Sequence, residues 1–120
     1  MRRPPPFRPA TALLMLALAG CSTAAMDEPV DLAVACQTDA ALAMARRSAA
    51  GDNVVGRAMG AVAELAILKE AGRMTAYRSA RARMLAQNDY VTEADVEEAV
   101  DVKVGEMRTD RQAKLGRARC

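Results

Sequence analysis

Three thiols (Cys21, Cys36 and Cys120) and one row of carboxylates (Glu93, Glu97 and Asp101) are the side chains whose type and spacing suit chemistry. A thiol can be acylated, paired with a second thiol, or made a nucleophile by a neighbouring base. The chain has no histidine, so the usual base, the commonest transition-metal ligand and every Ser–His or Cys–His dyad are missing. No Cys-x-x-Cys pair occurs, which leaves zinc and thioredoxin-like chemistry without ligands. Gly56-x-x-x-Gly60 lacks the Lys-Ser or Lys-Thr that completes a phosphate loop. Glu93, Glu97 and Asp101 share one helix face by their i, i+4, i+8 spacing. Without an EF-hand loop they read as a solvated or arginine-paired face rather than a calcium site. No catalytic residue, metal site or cofactor is assigned, and the chain is not expected to be an enzyme.

Cys21 is set apart by what precedes it. Arg2, Arg3 and Arg8 form a basic start, Ala10 to Ala19 an apolar run, and Leu18-Ala19-Gly20 a small-residue approach to the cysteine. This is the layout of a secretory signal peptide. The run of about eleven residues is short of the roughly 20 that a membrane span needs. Pro4, Pro5, Pro6 and Pro9 keep the basic start from joining it as one long helix.

Leu18-Ala19-Gly20-Cys21 resembles the lipobox of bacterial lipoproteins. The resemblance covers residues 1–21 alone. It implies cleavage between Gly20 and Cys21, a diacylglyceryl group on the Cys21 sulfur and, as a rule, an acyl group on the new N-terminus. Each buried methylene contributes about 0.8 kcal/mol, so two or three chains make attachment to a bilayer nearly permanent. Ser22, where an aspartate would retain a lipoprotein of enteric-type bacteria in the inner membrane, resembles the outer-membrane class. The implied location is the cell envelope, with the protein anchored in the outer membrane and facing the periplasm. A leader cleaved without lipidation is the plainer alternative.

The basic balance of the whole chain belongs mostly to this leader. Beyond residue 20 there are 14 basic and 15 acidic side chains, a net charge of −1, so nucleic acid is not an expected partner. The remaining 100 residues suffice for one small domain with a thin core. Tyr77 and Tyr90 are its only aromatics, and alanine, valine, leucine and methionine supply the rest. Cys36 and Cys120 would survive processing, and the envelope permits a disulfide. Closing a loop of about 85 residues contributes roughly 4 kcal/mol in the chain-entropy model. A buried Cys36 with an exposed Cys120 that pairs between molecules is the other reading.

The elements expected to carry these residues are all helical. Residues 1–20 are the signal, 21–29 a lipidated tether, 30–107 a small helical domain, and 108–120 a basic tail that frays or touches anionic headgroups. A first helix is expected over 30–48, with Pro29 at its first turn. Gly51-Asp52-Asn53 breaks it and caps a second helix from Val54. In that second helix Gly56 and Gly60 form a small-xxx-small pair, either a dimer seam or, in the favoured reading, a close crossing inside the bundle or simply tolerated glycines costing about 1 kcal/mol each. Gly72 ends the second helix or bends it toward about residue 86.

A third helix is announced by Thr92 as N-cap, Asp95 as its capping-box partner and Val91 with Val96 as a hydrophobic staple. Val96, Val100, Val104 and Met107 line one of its faces. The arginines of 73–83 and the acids of 93–101 flank the Asn88-Asp89 turn, so a C-terminal helical hairpin is expected, with Arg78–Arg83 near 94–99. The expected architecture is thus an all-α bundle of about three helices. The expected role is that of a membrane-anchored, non-catalytic binding or structural module that docks on membrane lipid and an envelope protein, or on a second copy of itself. An envelope inhibitor or stress protein, blocking a hydrolase or conjugation machinery, is the alternative.

Overall fold

The computed structural model describes residues 23–120. The signal segment 1–20, with Gly20 and Cys21, lies outside them. The described residues form five helices and no strand: α1 (Thr23–Val34), α2 (Thr38–Ala49), α3 (Val54–Glu70), α4 (Met74–Gln87) and α5 (Glu93–Leu115). The all-helical class follows from the alanine-rich, strand-poor composition. The count is five, not about three.

Both extra breaks fall at a left-handed residue. The expected helix over 30–48 is interrupted at Cys36, whose φ of 66° is left-handed. Its N–H donates to the Ala33 carbonyl and that of Gln37 to Leu32, each at 2.9 Å, the paired bonds of a Schellman turn. A cysteine occupies the place that glycine normally takes, at a cost of about 1–2 kcal/mol. The second break is at Gly72, with φ 76°, where Gly72 and Arg73 donate to Lys69 and Leu68 in the same pattern. The tether assignment also changes. α1 starts at Thr23, and Pro29 lies inside it rather than at its first turn. The proline ring is fully buried, and that apolar contact compensates for its missing N–H.

The other boundaries fall where the capping residues place them. Asn53 Oδ1 accepts from the Gly56 N–H at 2.8 Å and opens α3. Thr92 and Asp95 exchange side chain-to-backbone bonds of 3.1 Å each and open α5. The Thr92 backbone, and then its hydroxyl, hold the Asp95 carboxyl below the usual carboxylate range.

α3 is the axis of the domain and packs on α1, α2, α4 and α5. Its segment Ala63–Leu68 is buried on every side. Val30 and Val34 of α1, Leu42 of α2, Tyr77 and Met84 of α4, and Val96, Val100, Val104 and Met107 of α5 close over it. The expected C-terminal hairpin is altered. α4 and α5 each lean on α3, and between themselves they are bridged by long polar side chains rather than by close backbones. No described helix is long and apolar enough to cross a membrane.

The two glycines of α3 part company. A Cβ built on Gly60 would lie 2.5 Å from the Ala49 nitrogen and 2.7 Å from the Ser48 Cβ, so α2 crosses α3 there within the chain. That contact occupies the face that a dimer seam through Gly60 would need. A Cβ on Gly56 meets only Asn53, at 3.5 Å or more. Gly60→Ala is expected to lose about 1–3 kcal/mol by overpacking, a fall in Tm of roughly 5–20 °C. Gly56→Ala should be neutral or stabilising by up to about 1 kcal/mol. Thermal melts followed by circular dichroism check the contrast, and equal effects at the two positions would contradict the crossing.

Candidate functional site

Three polar constellations stand out from the apolar core. The first surrounds Arg111. The sequence places this residue in a solvated tail, but its side chain is 0% exposed. All five of its N–H groups are engaged. Nε donates to the Val34 carbonyl at 3.1 Å and Nη2 to Ala33 at 2.9 Å and Glu70 Oε1 at 2.9 Å. Nη1 donates to Glu70 Oε2 at 3.1 Å and to the Ala118 carbonyl at 2.7 Å. One guanidinium thus caps the C-terminus of α1, forks onto a carboxylate of α3 and holds the chain end.

α5 therefore runs on to Leu115, past the Met107 boundary expected for the domain, and Arg108 also leans on Glu70 at 3.6 Å. Beside this clasp Cys36 and Cys120 are joined in a disulfide, with Cα atoms 5.6 Å apart. The tail is closed onto the end of α1 by a covalent bond and onto α3 by a buried ion pair. Lys114, Arg117 and Arg119 remain exposed.

The second constellation is the carboxylate row of α5. Glu97 accepts from the Tyr77 hydroxyl at 2.7 Å, Arg81 Nη1 at 2.6 Å and Lys69 Nζ at 3.2 Å. Lys69 also reaches Asp101 at 2.7 Å, and Arg81 lies 3.6 Å from Glu93. Both cations flank the Tyr77 ring, at 5.6 and 5.4 Å from its centroid. The Tyr77 hydroxyl above all, then Arg81 and Lys69, hold the Glu97 carboxyl below its usual range. Burial first, then the Glu97 hydrogen bond, pushes the Tyr77 phenol up to about 12. Asp101 chiefly raises Lys69, and Glu97 chiefly raises Arg81. Each of the three carboxylates of this row lies within ion-pair distance of Lys69 or Arg81, and no cluster of three or more metal-ligating side chains occurs among the described residues.

The third constellation is not matched internally. Between the end of α2, the outer face of α3 and the second half of α4 lies a groove of about 580 Å³. It exists because the facing side chains are small: Ala49 on α2, Ala58 and Ala61 on α3, Ala80 on α4. Arg46, Arg57 and Arg83 frame it, and Glu64 forms part of its floor. Glu64 is the one acid among the buried residues 63–68, with a side chain 5% exposed. It accepts from Arg46 Nε at 3.0 Å and from Arg83 Nη2 at 3.4 Å. Arg57 spends one terminal nitrogen on the Gly51 and Asp52 carbonyls. Both terminal nitrogens of Arg46 and most of the Arg83 guanidinium have no protein acceptor among the described residues, and these side chains are 53% and 56% exposed. Three cations face one carboxylate here, and guanidinium donors are left open to the cleft.

Of the residues singled out by sequence, Cys36 and Cys120 are brought together, Gly60 lies at a helix crossing, and Gly56 stands apart on the exposed side of the Asn53 cap. The groove was not anticipated. Its signal was a lone glutamate within an apolar helix, which matters only once Arg46 and Arg83, 18 residues before it and 19 after it, converge on it. Comparison with protein-family models, curated proteins and solved structures returns no match.

Two outcomes follow from these networks. Arg111→Met strands the Glu70 carboxylate and is expected to cost about 3–5 kcal/mol, most of which Arg111→Met with Glu70→Leu should recover. Urea midpoints measure both, and a single-variant loss below about 1 kcal/mol would remove the clasp from the account. For Tyr77 the folded pKa lies above the unfolded value of 10.0. Its contribution is therefore fully present below pH 10.0 and is lost as pH rises through about 12. Glu97 has the opposite sign: its contribution is present above the unfolded carboxylate value and lost as pH falls through the lower folded one. In a Tyr90→Phe background, phenolate absorbance should report only Tyr77, rising near pH 12 and not near 10.

Proposed function

We propose that the chain is a small lipoprotein of the bacterial cell envelope, anchored through lipid on Cys21, that acts as a non-catalytic binding module. The leader supports the anchor: Arg2, Arg3 and Arg8, the apolar run to Ala19, and Leu18-Ala19-Gly20-Cys21. Thr23, two residues past the proposed lipid attachment, is already helical, which keeps the domain close to the bilayer. The Cys36–Cys120 disulfide fits an oxidising compartment.

The observation that carries the binding role is the arginine groove. Arg46, Arg57 and Arg83 present guanidinium groups to an open cleft, where Glu64 accepts from only part of their donors. Arginine in such a setting recognises anions through its fork of donors. Glu64, the carboxylate of the cleft, is taken up by Arg46 and Arg83, and Glu97 and Tyr77 bond to each other away from it. The partner is an envelope component carrying negative charge.

The anchor is tested by the intact mass of protein extracted from membranes, with and without reductant. The expected species lacks residues 1–20, carries diacylglyceryl and acyl increments at Cys21, and gains two hydrogens on reduction without halving in mass. Cys21→Ser should accumulate unprocessed and without lipid. A processed protein free of lipid in the soluble fraction would overturn the anchor.

A further inference from the structure

The chemistry of the groove is specific enough to name a ligand class. We propose that the cleft framed by Arg46, Arg57 and Arg83 binds the free carboxylate of a peptide whose terminal side chains are small. This deepens the reading of the chain as a binding module and rests on it.

Shape argues first. The volume of about 580 Å³ lies in the range of roughly 300–1,000 Å³ that encloses a small ligand, and far exceeds a bare ion. Its walls alternate guanidinium groups with the methyl groups of Ala49, Ala58, Ala61 and Ala80, so a ligand needs a charged end and a compact apolar body. Charge argues second. Glu64 holds Arg46 by Nε alone, which aims the terminal edge of that guanidinium away from the floor and open to a planar, two-oxygen acceptor. Arg83 sits at 3.4 Å from both Glu64 oxygens, a loose contact that a ligand carboxylate can improve. Glu64 is thus a positioning residue that presents two arginines, and it leaves the groove cationic when one monoanion enters.

Amide chemistry argues third. Gln87 lines the same cleft, is exposed, and has no protein partner among the described residues. Its carboxamide offers one donor and one acceptor to a backbone amide, which neither a phosphate ion nor a hydrocarbon tail would use.

The test is calorimetric titration of the full chain, purified from membranes in detergent, with N-acetyl-dialanine bearing a free carboxylate. The same peptide as its C-terminal amide, acetate and inorganic phosphate serve as comparisons. The free acid should bind at least tenfold more tightly than the amide, acetate or phosphate. Arg57→Gln, which leaves the Glu64 pairs intact, and Arg83→Lys, which keeps the charge but loses the fork, should each weaken it about tenfold while melting as the parent does. The proposal is overturned if the acid does not bind, if acid and amide bind alike, if phosphate or acetate matches the peptide, or if both variants bind as the parent does. Lipidation of Cys21, read by mass, is unaffected by any of these results, so failure of the groove and failure of the anchor are separable.

Discussion

The domain depends on one buried guanidinium. Arg111 lies at the meeting point of the end of α1, the end of α3 and the chain terminus, and every N–H it has is accepted by one of them. A charge taken out of water to this degree is tolerated only when its partners are complete. The two carbonyls of α1, the forked Glu70 carboxylate and the Ala118 carbonyl make them so. The same contacts explain how Cys36 is held in a left-handed conformation that cysteine adopts reluctantly. The carbonyls just ahead of it are fixed by Arg111, and its sulfur is tied to Cys120.

This arrangement answers a problem set by composition. With one buried aromatic, Tyr77, and a core of alanine, valine, leucine and methionine, apolar burial alone gives a thin interior. The domain adds polar fastenings along α3. Glu70 and Arg111 close one end, with the disulfide beside them, while Glu64 draws Arg46 and Arg83 over the flank. Between them Tyr77 and Glu97 link α4 to α5, whose backbones stay apart. Alanine plays two opposed parts in this design. At the Gly60 crossing small residues let helices touch, and along Ala58, Ala61 and Ala80 they leave a gap that becomes the groove.

Much of the helix layout was legible because it rests on local interactions. The Thr92–Asp95 box, the Asn53 cap and the valine row of α5 lie within one or two turns of the residues they govern. Gly72 carried its own signal. Cys36 did not, because a left-handed cysteine is stable only through Arg111 and Cys120, which arrive from 75 and 84 residues away. The Arg111 clasp and the Glu64 groove were illegible for the same reason: each acid–base pair spans elements whose relative placement no local rule supplies. A basic residue in a polar stretch reads as solvated until a buried carboxylate is placed opposite it.

What the sequence alone determined is therefore the all-helical class, most of the caps and breaks, the inward face of α5, and the leader pattern on which the proposed anchor rests. Propensity, capping geometry and 3.6-residue periodicity act over a few residues and need no knowledge of the fold. Tertiary structure alone decided which charges are buried and which are left over. Ion pairing depends on distances between elements far apart in the chain: Glu70 meets Arg111, Glu97 meets Lys69 and Arg81, and Glu64 draws Arg46 and Arg83 to one groove with Arg57.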